Sequence, residues 1–217
     1  MREQVIKTIE ETKIIVIVRG VRKEKLIPLA EALYKGGIRL LELTYDACGN
    51  VSDADTAKNV RTLCDRFKGE MIIGSGTVLN EQQLNLTKEA GGEFIISPDT
   101  NESIISKTRD LELVSIPGAM TPSEIQRAHA SGADFVKLFP LSSLGADYVK
   151  AVSAPLSHIK MLAVGGVSLL NLDEYMLSGA KGIGIGGALT KKELIENNEF
   201  DKITQMAESY IEKLSKY

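Results

Sequence analysis

Short runs of apolar, largely β-branched residues recur along the whole chain. Each run is followed by polar or glycine-rich residues and then by a helical pattern, with a period of about 25 residues. The runs are too short for helices, and they are apolar on both faces, as strands covered by helices on both sides are. They predict eight strands, at residues 14–18, 40–44, 71–73, 94–96, 114–116, 134–140, 161–164 and 182–185.

Eight strand–helix units in a chain of 217 residues are typical of a (β/α)₈ TIM barrel that forms one domain, residues 1–217. An additional N-terminal helix precedes the first strand, a helix is predicted at 23–35, and the last helix at 201–213. The alternative is an open, doubly wound α/β sheet. The first turn, Arg19-Gly20-Val21, lacks the GxGxxG pattern of such sheets, so we expect the closed barrel.

Composition excludes several classes of function. The net charge is −3 and no run of Lys or Arg is present, which argues against a nucleic-acid partner. No apolar run is long enough to span a bilayer, so we expect no membrane partner and a cytoplasmic location. Cys48 and Cys64 stand alone, which suits reduced thiols. His129 and His158 are too few and too far apart for a metal site, and we expect none.

The sixth apolar run carries a lysine in its middle. Because side chains alternate along a strand, Lys137 shares a face with Phe135 and Phe139. A buried ammonium is unfavourable, so it either finds a carboxylate or loses its proton. The ordinary interpretation is a lysine at a strand end whose stem lets the charge reach solvent.

Functional residues of such a barrel lie at the carboxyl ends of the strands. Glu42 is near the end of the second strand and has the parity of Leu40 and Thr44, so it should point into the barrel. Lys137 and Glu42 then form either a buried ion pair or a catalytic pair for carbonyl chemistry. In the second case the amine attacks a ketone to form a Schiff base, and the carboxylate moves protons. Arg19, at the end of the first strand, suits a substrate carboxylate and would lower the lysine pKa.

Pairs of glycines end the last two strands, Gly165-Gly166 and Gly186-Gly187. Glycine lets backbone N–H groups approach an anion, and the helix starts that follow would add a positive dipole end. Each pair alone also suits a tight turn. Their joint position at the last two strands predicts a phosphate site.

Six segments, in the same order along the chain, resemble the 2-keto-3-deoxy-6-phosphogluconate (KDPG) aldolase family, which also includes 4-hydroxy-2-oxoglutarate (KHG) aldolases. They are LELT at 41–44, GSGTVL at 74–79, ISP at 96–98, IPGAMTPSE at 116–124, VKLFP at 136–140 and AVGGV at 163–167. Together they are far more specific than any one of them.

The resemblance implies a class I aldolase that needs no metal and no cofactor, is commonly a homotrimer, and cleaves KDPG to pyruvate and glyceraldehyde 3-phosphate. Lys137 matches the Schiff-base lysine and Glu42 the acid–base residue. The matched binding residues are Arg19 and Thr77 for the pyruvate carboxylate region, Pro98 and Phe139 for the apolar wall, and Gly165, Gly166 and Gly186 for phosphate.

Three positions depart from the family's pattern. Asp46 stands where many relatives have an arginine, Gly187 where a serine is frequent, and Asp99 where a glycine is frequent. Three rivals therefore stay open. They are the same cleavage of KHG or of the galactonate epimer of KDPG, a phosphate-barrel epimerase or isomerase that uses Glu42 as its base, and a non-catalytic barrel that binds sugar phosphates.

Overall fold

The computed structural model describes residues 2–217, and its elements alternate between strand and helix along most of the chain. The strands are β1 (Ile14–Val18), β2 (Leu40–Thr44), β3 (Ile72–Gly76), β4 (Phe94–Ile96), β5 (Val114–Ile116), β6 (Gly118–Ala119), β7 (Val136–Leu138), β8 (Met161–Val164) and β9 (Gly182–Ile185). The helices are α1 (Arg2–Thr12), α2 (Lys23–Lys35), α3 (Asp53–Arg66), α4 (Glu81–Glu89), α5 (Glu102–Asp110), α6 (Pro122–Ala130), α7 (Gly145–Ser153), α8 (Leu172–Leu177), α9 (Lys192–Glu196) and α10 (Phe200–Leu214), and a 3₁₀ turn spans Leu141–Ser143.

The strands form one parallel sheet in the order β5-β4-β3-β2-β1-β9-β8-β7-β6. The two strands at its ends, β5 and β6, are consecutive in the chain and separated only by Pro117. β5 pairs with β4, and β6 pairs with β7. The N–H of Lys137 also donates to the carbonyl of Pro117 at 2.8 Å, and that of Asp134 to Ser115 at 2.9 Å. The predicted fifth strand therefore closes a (β/α)₈ barrel in two short pieces.

Local sequence explains where several helices begin. The side chains of Ser52, Asn80 and Asn101 each accept a backbone N–H in the first turn of α3, α4 and α5. At α6, Thr121 and Glu124 form a capping box. These caps place the helix starts close behind the strand ends, so the connecting loops gather at one end of the barrel.

Buried side chains form an inner and an outer apolar layer. Inside the barrel, alternate strand residues pack together, among them Ile15, Leu40, Phe94 and Leu162. Their neighbours on the strands, such as Val16 and Leu41, pack outward against the helices. The two-residue alternation predicted from the sequence is the physical basis of both layers.

Helix α1 packs against the amino ends of the strands. Val5 and Ile9 are fully buried in the inner layer. Arg2 donates to the carboxylate of Asp134, which itself accepts the backbone N–H of Ser115 at 2.9 Å. The helix thus covers the amino end, and the polar groups of the barrel interior lie toward the other end.

The predicted strands agree closely with the observed ones except at β3 and β7, where the strand predicted at 134–140 spans only Val136–Leu138. For β3 the sequence predicts residues 71–73, whereas the strand runs from Ile72 to Gly76. Glycines disfavour strands in isolation, but here Gly74 and Gly76 are buried where side chains of neighbouring strands need room. No helix among the described residues combines the length and the apolar character that crossing a bilayer requires.

Candidate active site

Lys137 and Glu42 both lie in strands that line the barrel, and both are buried. Lys137 is the middle residue of β7 and is 5% exposed, and Glu42 is the middle residue of β2 and is 1% exposed. Lys137 Nζ lies 4.7 Å from the centre of the Phe139 ring. All five residues of β2 are buried, so burial alone does not show which way Glu42 points. The charges of Lys137 and Arg19 both act on its carboxyl group, as the inward orientation predicted from strand parity requires.

The two side chains do not neutralise each other by direct contact. Both carboxylate oxygens of Glu42 are buried without a hydrogen-bond partner among the described residues. The simple buried ion pair is therefore not what the geometry contains. A small polar molecule that reaches Glu42 would find two carboxylate oxygens without a partner among the described residues.

Burial moves both groups toward their neutral forms. It raises the pKa of the Glu42 carboxyl, against the charges of Lys137 and Arg19, which lower it. It lowers the pKa of the Lys137 amine, with the Arg19 guanidinium acting in the same direction and Glu42 opposing. A neutral amine is a nucleophile, and a carboxylic acid close to it is a proton donor.

Gly76 makes room for the Glu42 carboxyl group. β2 and β3 pair in parallel, with Glu42 opposite Gly74 and Thr44 opposite Gly76. A Cβ atom on Gly76 would lie 1.6 Å from Glu42 Oε1 and 2.4 Å from its carboxyl carbon. The GSG segment of β3 is therefore the wall against which this carboxylate rests.

Arg19 and Thr77 meet at the mouth of the barrel. Arg19 follows β1, and its Nη2 donates to Thr77 Oγ1 at 3.4 Å. Thr77 follows β3 and has a φ of +56°, a left-handed conformation that β-branched residues rarely adopt. Strain of this kind is retained where the surrounding structure enforces it, often at ligand sites.

Pro98 and Phe139, predicted as the apolar wall, follow the ends of β4 and β7. Phe139 is half-buried just beyond β7, with Lys137 close to its ring. Pro98 is half-buried just beyond β4, and its carbonyl lies against Gly118 of β6. Asp99 is exposed, and the hydroxyl of Ser97 donates to its backbone carbonyl at 3.0 Å.

The glycine pairs follow β8 and β9 at the same end of the barrel. Gly165 and Gly166 have φ values of +97° and +78°, and a Cβ on either would press on the chain at 141–142. A Cβ on Gly187 would instead meet no other atom within 4 Å. Helices α8 and α9 begin only at Leu172 and Lys192, so backbone N–H groups rather than helix ends are what these loops offer an anion.

A cavity of about 630 Å³ opens beside the site, between the loops that follow β1 and β2. We call it the mouth cavity. Its lining includes Arg19, Lys23, Thr44, Asp46 and Thr77. Lys137 and Glu42 are not among its lining residues, and Thr44, which is, follows Glu42 by two residues on β2.

Comparison with known proteins decides the family. The family model for KDPG and KHG aldolases matches residues 5–206. The chain belongs to the KDPG and KHG aldolase family. It is thus an aldolase, a lyase, on the barrel fold that the sequence predicts.

Two curated relatives and one solved structure show how far the similarity extends. The 2-dehydro-3-deoxy-phosphogluconate aldolase of Haemophilus influenzae is 28% identical over 212 residues, which cover 97% of this chain and 96% of the relative. The KHG/KDPG aldolase of Escherichia coli is 33% identical over 192 residues, covering 87% and 86%. A KDPG aldolase structure from Legionella pneumophila, with pyruvate captured as a covalent carbinolamine intermediate, superposes with a TM-score of 0.84 at 27% identity over 97% and 98% of the two chains.

Two residues beside the candidate site, Gly76 and Thr44, have no role in the sequence analysis. Gly76 appeared only as part of a motif, because its role depends on a carboxylate from the neighbouring strand. Thr44 was noted at a strand end but given no role, although it lines the mouth cavity. Within residues 2–217, no group of three or more His, Cys, Asp and Glu side chains is placed to hold a metal ion.

Proposed function

We propose that this aldolase cleaves KDPG to pyruvate and glyceraldehyde 3-phosphate through a Schiff base on Lys137. The observation that carries the proposal is the pairing of a buried lysine with a buried, unpartnered glutamate inside the barrel. Their neutral forms are the ones needed for attack on a ketone and for protonation of its oxygen.

The first half of the reaction builds the covalent intermediate. The lone pair of Lys137 Nζ attacks C2 of the keto acid, and the carbonyl oxygen takes a proton from the Glu42 carboxyl group. Loss of water from this carbinolamine leaves a protonated imine between Nζ and C2. The positive imine nitrogen can then accept an electron pair from the neighbouring carbon–carbon bond.

The second half breaks the bond between C3 and C4. Glu42, now ionised, removes the proton of the C4 hydroxyl group, directly or through a water molecule. The C3–C4 electrons move to the imine, which becomes an enamine, and the aldehyde leaves. Glu42 then returns the proton to C3, and water hydrolyses the imine to release pyruvate and restore the free amine.

Charged ends of the substrate are assigned to opposite parts of the mouth. Arg19, with Thr77, holds the carboxylate next to C2, because a guanidinium is a fixed cation with a forked set of donors. Pro98 and Phe139 enclose the apolar part of the pyruvate unit. Backbone N–H groups of the glycine pairs at 165–166 and 186–187 hold the phosphate.

A second substrate, unphosphorylated KHG, is favoured by one observation. Gly187 provides no side-chain hydroxyl at the phosphate loop, and one relative is named for both activities. Comparing kcat/KM for KDPG, its galactonate epimer and KHG distinguishes these substrates. Equal efficiency on KHG and KDPG would show that the glycine pairs act as turns and would overturn the phosphate assignment.

Trapping the intermediate tests the chemistry itself. The protein is incubated with pyruvate and sodium borohydride, and the reduced adduct is located by peptide mass spectrometry. We expect it on Lys137, and Lys137→Met should abolish it. Lys160, a half-exposed lysine paired with Glu10, serves as the control residue. Absence of an adduct on Lys137 would favour an epimerase that uses Glu42 alone, or a sugar-phosphate binding barrel.

We also propose a homotrimer, supported by family resemblance and by two exposed leucines that are close in sequence, at and near α8. Leu170 and Leu177, which flank or belong to α8, are 93% and 79% exposed. Large apolar side chains that exposed are typical of association surfaces when they occur together. Light scattering at micromolar concentration should give three times the monomer mass. Leu177→Glu should lower it, and a monomeric wild type would refute the proposal.

A cytoplasmic location is proposed from the state of the cysteines. Cys48 is exposed, Cys64 is half-buried, and neither forms a disulfide. Free exposed thiols suit a reducing compartment. Cell fractionation with detection of the native protein tests this, and recovery outside the cytoplasmic fraction would contradict it.

A further inference from the structure

Thr44 is largely buried, and its hydroxyl group has no hydrogen-bond partner among residues 2–217. Thr44 is the last residue of β2 and is 8% exposed. Thr44 belongs to the lining of the mouth cavity. Its hydroxyl oxygen is not among the unpartnered side-chain atoms that are fully shielded from solvent, so a ligand that enters the cavity can reach it and supply a hydrogen bond.

Its position places it beside the reacting groups. Thr44 follows Glu42 by two residues on the same strand, so both side chains leave the same face of the sheet. Arg19 and Thr77 line the same cavity and contact each other. Arg19 forms no ion pair with an acidic side chain of the described chain, so one guanidinium and two hydroxyl groups are open to an anion here.

The next polar residue considered, Asp46, also lines the mouth cavity, but its carboxylate is held by the backbone of its own loop. The carboxylate of Asp46 accepts the backbone N–H groups of Cys48 at 2.9 Å, Asn50 at 2.8 Å and Val51 at 3.1 Å. These bonds hold the carboxylate within its own loop and keep the pKa of Asp46 low. Asp46 therefore supplies neither a cation nor a free donor, and Thr44 is the nearest side-chain donor on this strand.

We propose that Thr44 is a substrate-binding residue, whose hydroxyl donates a hydrogen bond to the keto-acid carboxylate beside the Arg19 guanidinium. The assignment rests on the proposed function, because it takes the carboxylate next to the carbonyl carbon that Lys137 attacks. It adds a donor at the end of β2, where the loop residue Asp46 offers none.

The test compares three variants with a carboxylate ligand and with a neutral one. Thr44→Val removes the hydroxyl and keeps the branched shape, and Thr44→Ser keeps the hydroxyl. Lys58→Gln is the matched control, since Lys58 lines the same cavity but is paired with Asp55. For each protein, borohydride trapping on Lys137 is measured against the concentration of pyruvate and of methyl pyruvate, which lacks the negative charge.

Losing a hydrogen bond to a charged group should raise the pyruvate concentration for half-maximal trapping roughly 10- to 150-fold in Thr44→Val. Methyl pyruvate should respond much less, while Thr44→Ser and Lys58→Gln should resemble wild type with both ligands. Equal losses with both ligands, or no loss with pyruvate, would overturn the role of Thr44. If Thr44→Val does not fold, loss of pyruvate affinity in a folded Thr44→Ser decides against the proposal. Failure of wild type to form any Lys137 adduct would instead refute the proposed function.

Discussion

Replacing Gly76 by alanine should displace the Glu42 carboxyl group while leaving the residue itself unchanged. It therefore tests whether the position of this group matters for turnover. The new Cβ would lie 1.6 Å from Glu42 Oε1, about 1.8 Å short of the 3.4 Å at which ordinary contact begins. Gly76 has no positive φ, so its backbone accepts alanine and the conflict falls on the carboxylate. A displacement of about 1 Å at a reacting group can lower turnover about 10²-fold. We therefore expect kcat to fall by at least about 10²-fold.

The same collision should destabilise the fold to a modest degree. Overpacking of a buried site costs about 1–3 kcal/mol, which corresponds to a Tm lower by about 2–12 °C for a chain of this size. Thermal unfolding followed by circular dichroism measures this, and a coupled assay for the released aldehyde measures kcat. Pyruvate trapping on Lys137 should persist, because the amine is untouched.

Gly74→Ala is the matched control on the same strand. Its Cβ would lie 2.4 Å from the Phe94 ring rather than near Glu42. We expect destabilisation without a comparable loss of kcat in the protein that remains folded. A folded Gly76→Ala enzyme with wild-type turnover would refute the reasoning, because Glu42 would then not need the space that Gly76 leaves.

Four further predictions concern Glu42, Lys137 and the phosphate loop. Glu42→Gln should lower turnover by roughly 10²- to 10⁴-fold, while pyruvate still forms its adduct at a reduced rate; wild-type turnover would remove Glu42 from the mechanism. Because burial raises the pKa of Glu42, its ionisation disfavours the fold as pH rises, so Glu42→Gln should gain more thermal stability at pH 8 than at pH 5. The pH midpoint for trapping on Lys137 should lie below the 10.5 of an ordinary lysine and should rise in Arg19→Gln, since the lost cation had lowered the Lys137 pKa; an unchanged midpoint would contradict this. Gly187→Ser, whose side chain enters open space, should lower KM for KDPG and leave KHG nearly unchanged, and equal effects on both would argue against a phosphate contact.

Much of the fold follows from local sequence. The period of strand and helix units predicts the barrel, and most predicted strand bounds coincide with those observed. Strand parity also predicts that Glu42 and Lys137 point into the interior, because alternation of side chains is a property of one strand and does not depend on its neighbours.

The exceptions occur where a strand is shaped by what it packs against. β3 extends to Gly76, beyond the apolar residues from which it is predicted. Glycine by itself does not favour a strand, but here β2 and β4 pair with β3 on both sides and supply its hydrogen bonds. Pro117 divides the fifth strand so that one part pairs with β4 and the other with β7. Proline has no N–H group to donate to a sheet ladder, so a break at Pro117 fits the sequence. The choice of β4 and β7 as the two partner strands depends on how the barrel closes.

The site divides in the same way. The sequence by itself determined which residues are the candidates for the chemistry, since a lysine and a glutamate in apolar strands and glycines at strand ends can be read directly from the order of residues. Only the tertiary structure decided that Glu42 has no partner, that Gly76 leaves room for it, and that Thr44 faces the mouth cavity with a free hydroxyl. Hydrogen bonds and close contacts between strands depend on distances across the barrel, and these are set by closure of the whole sheet rather than by any single segment.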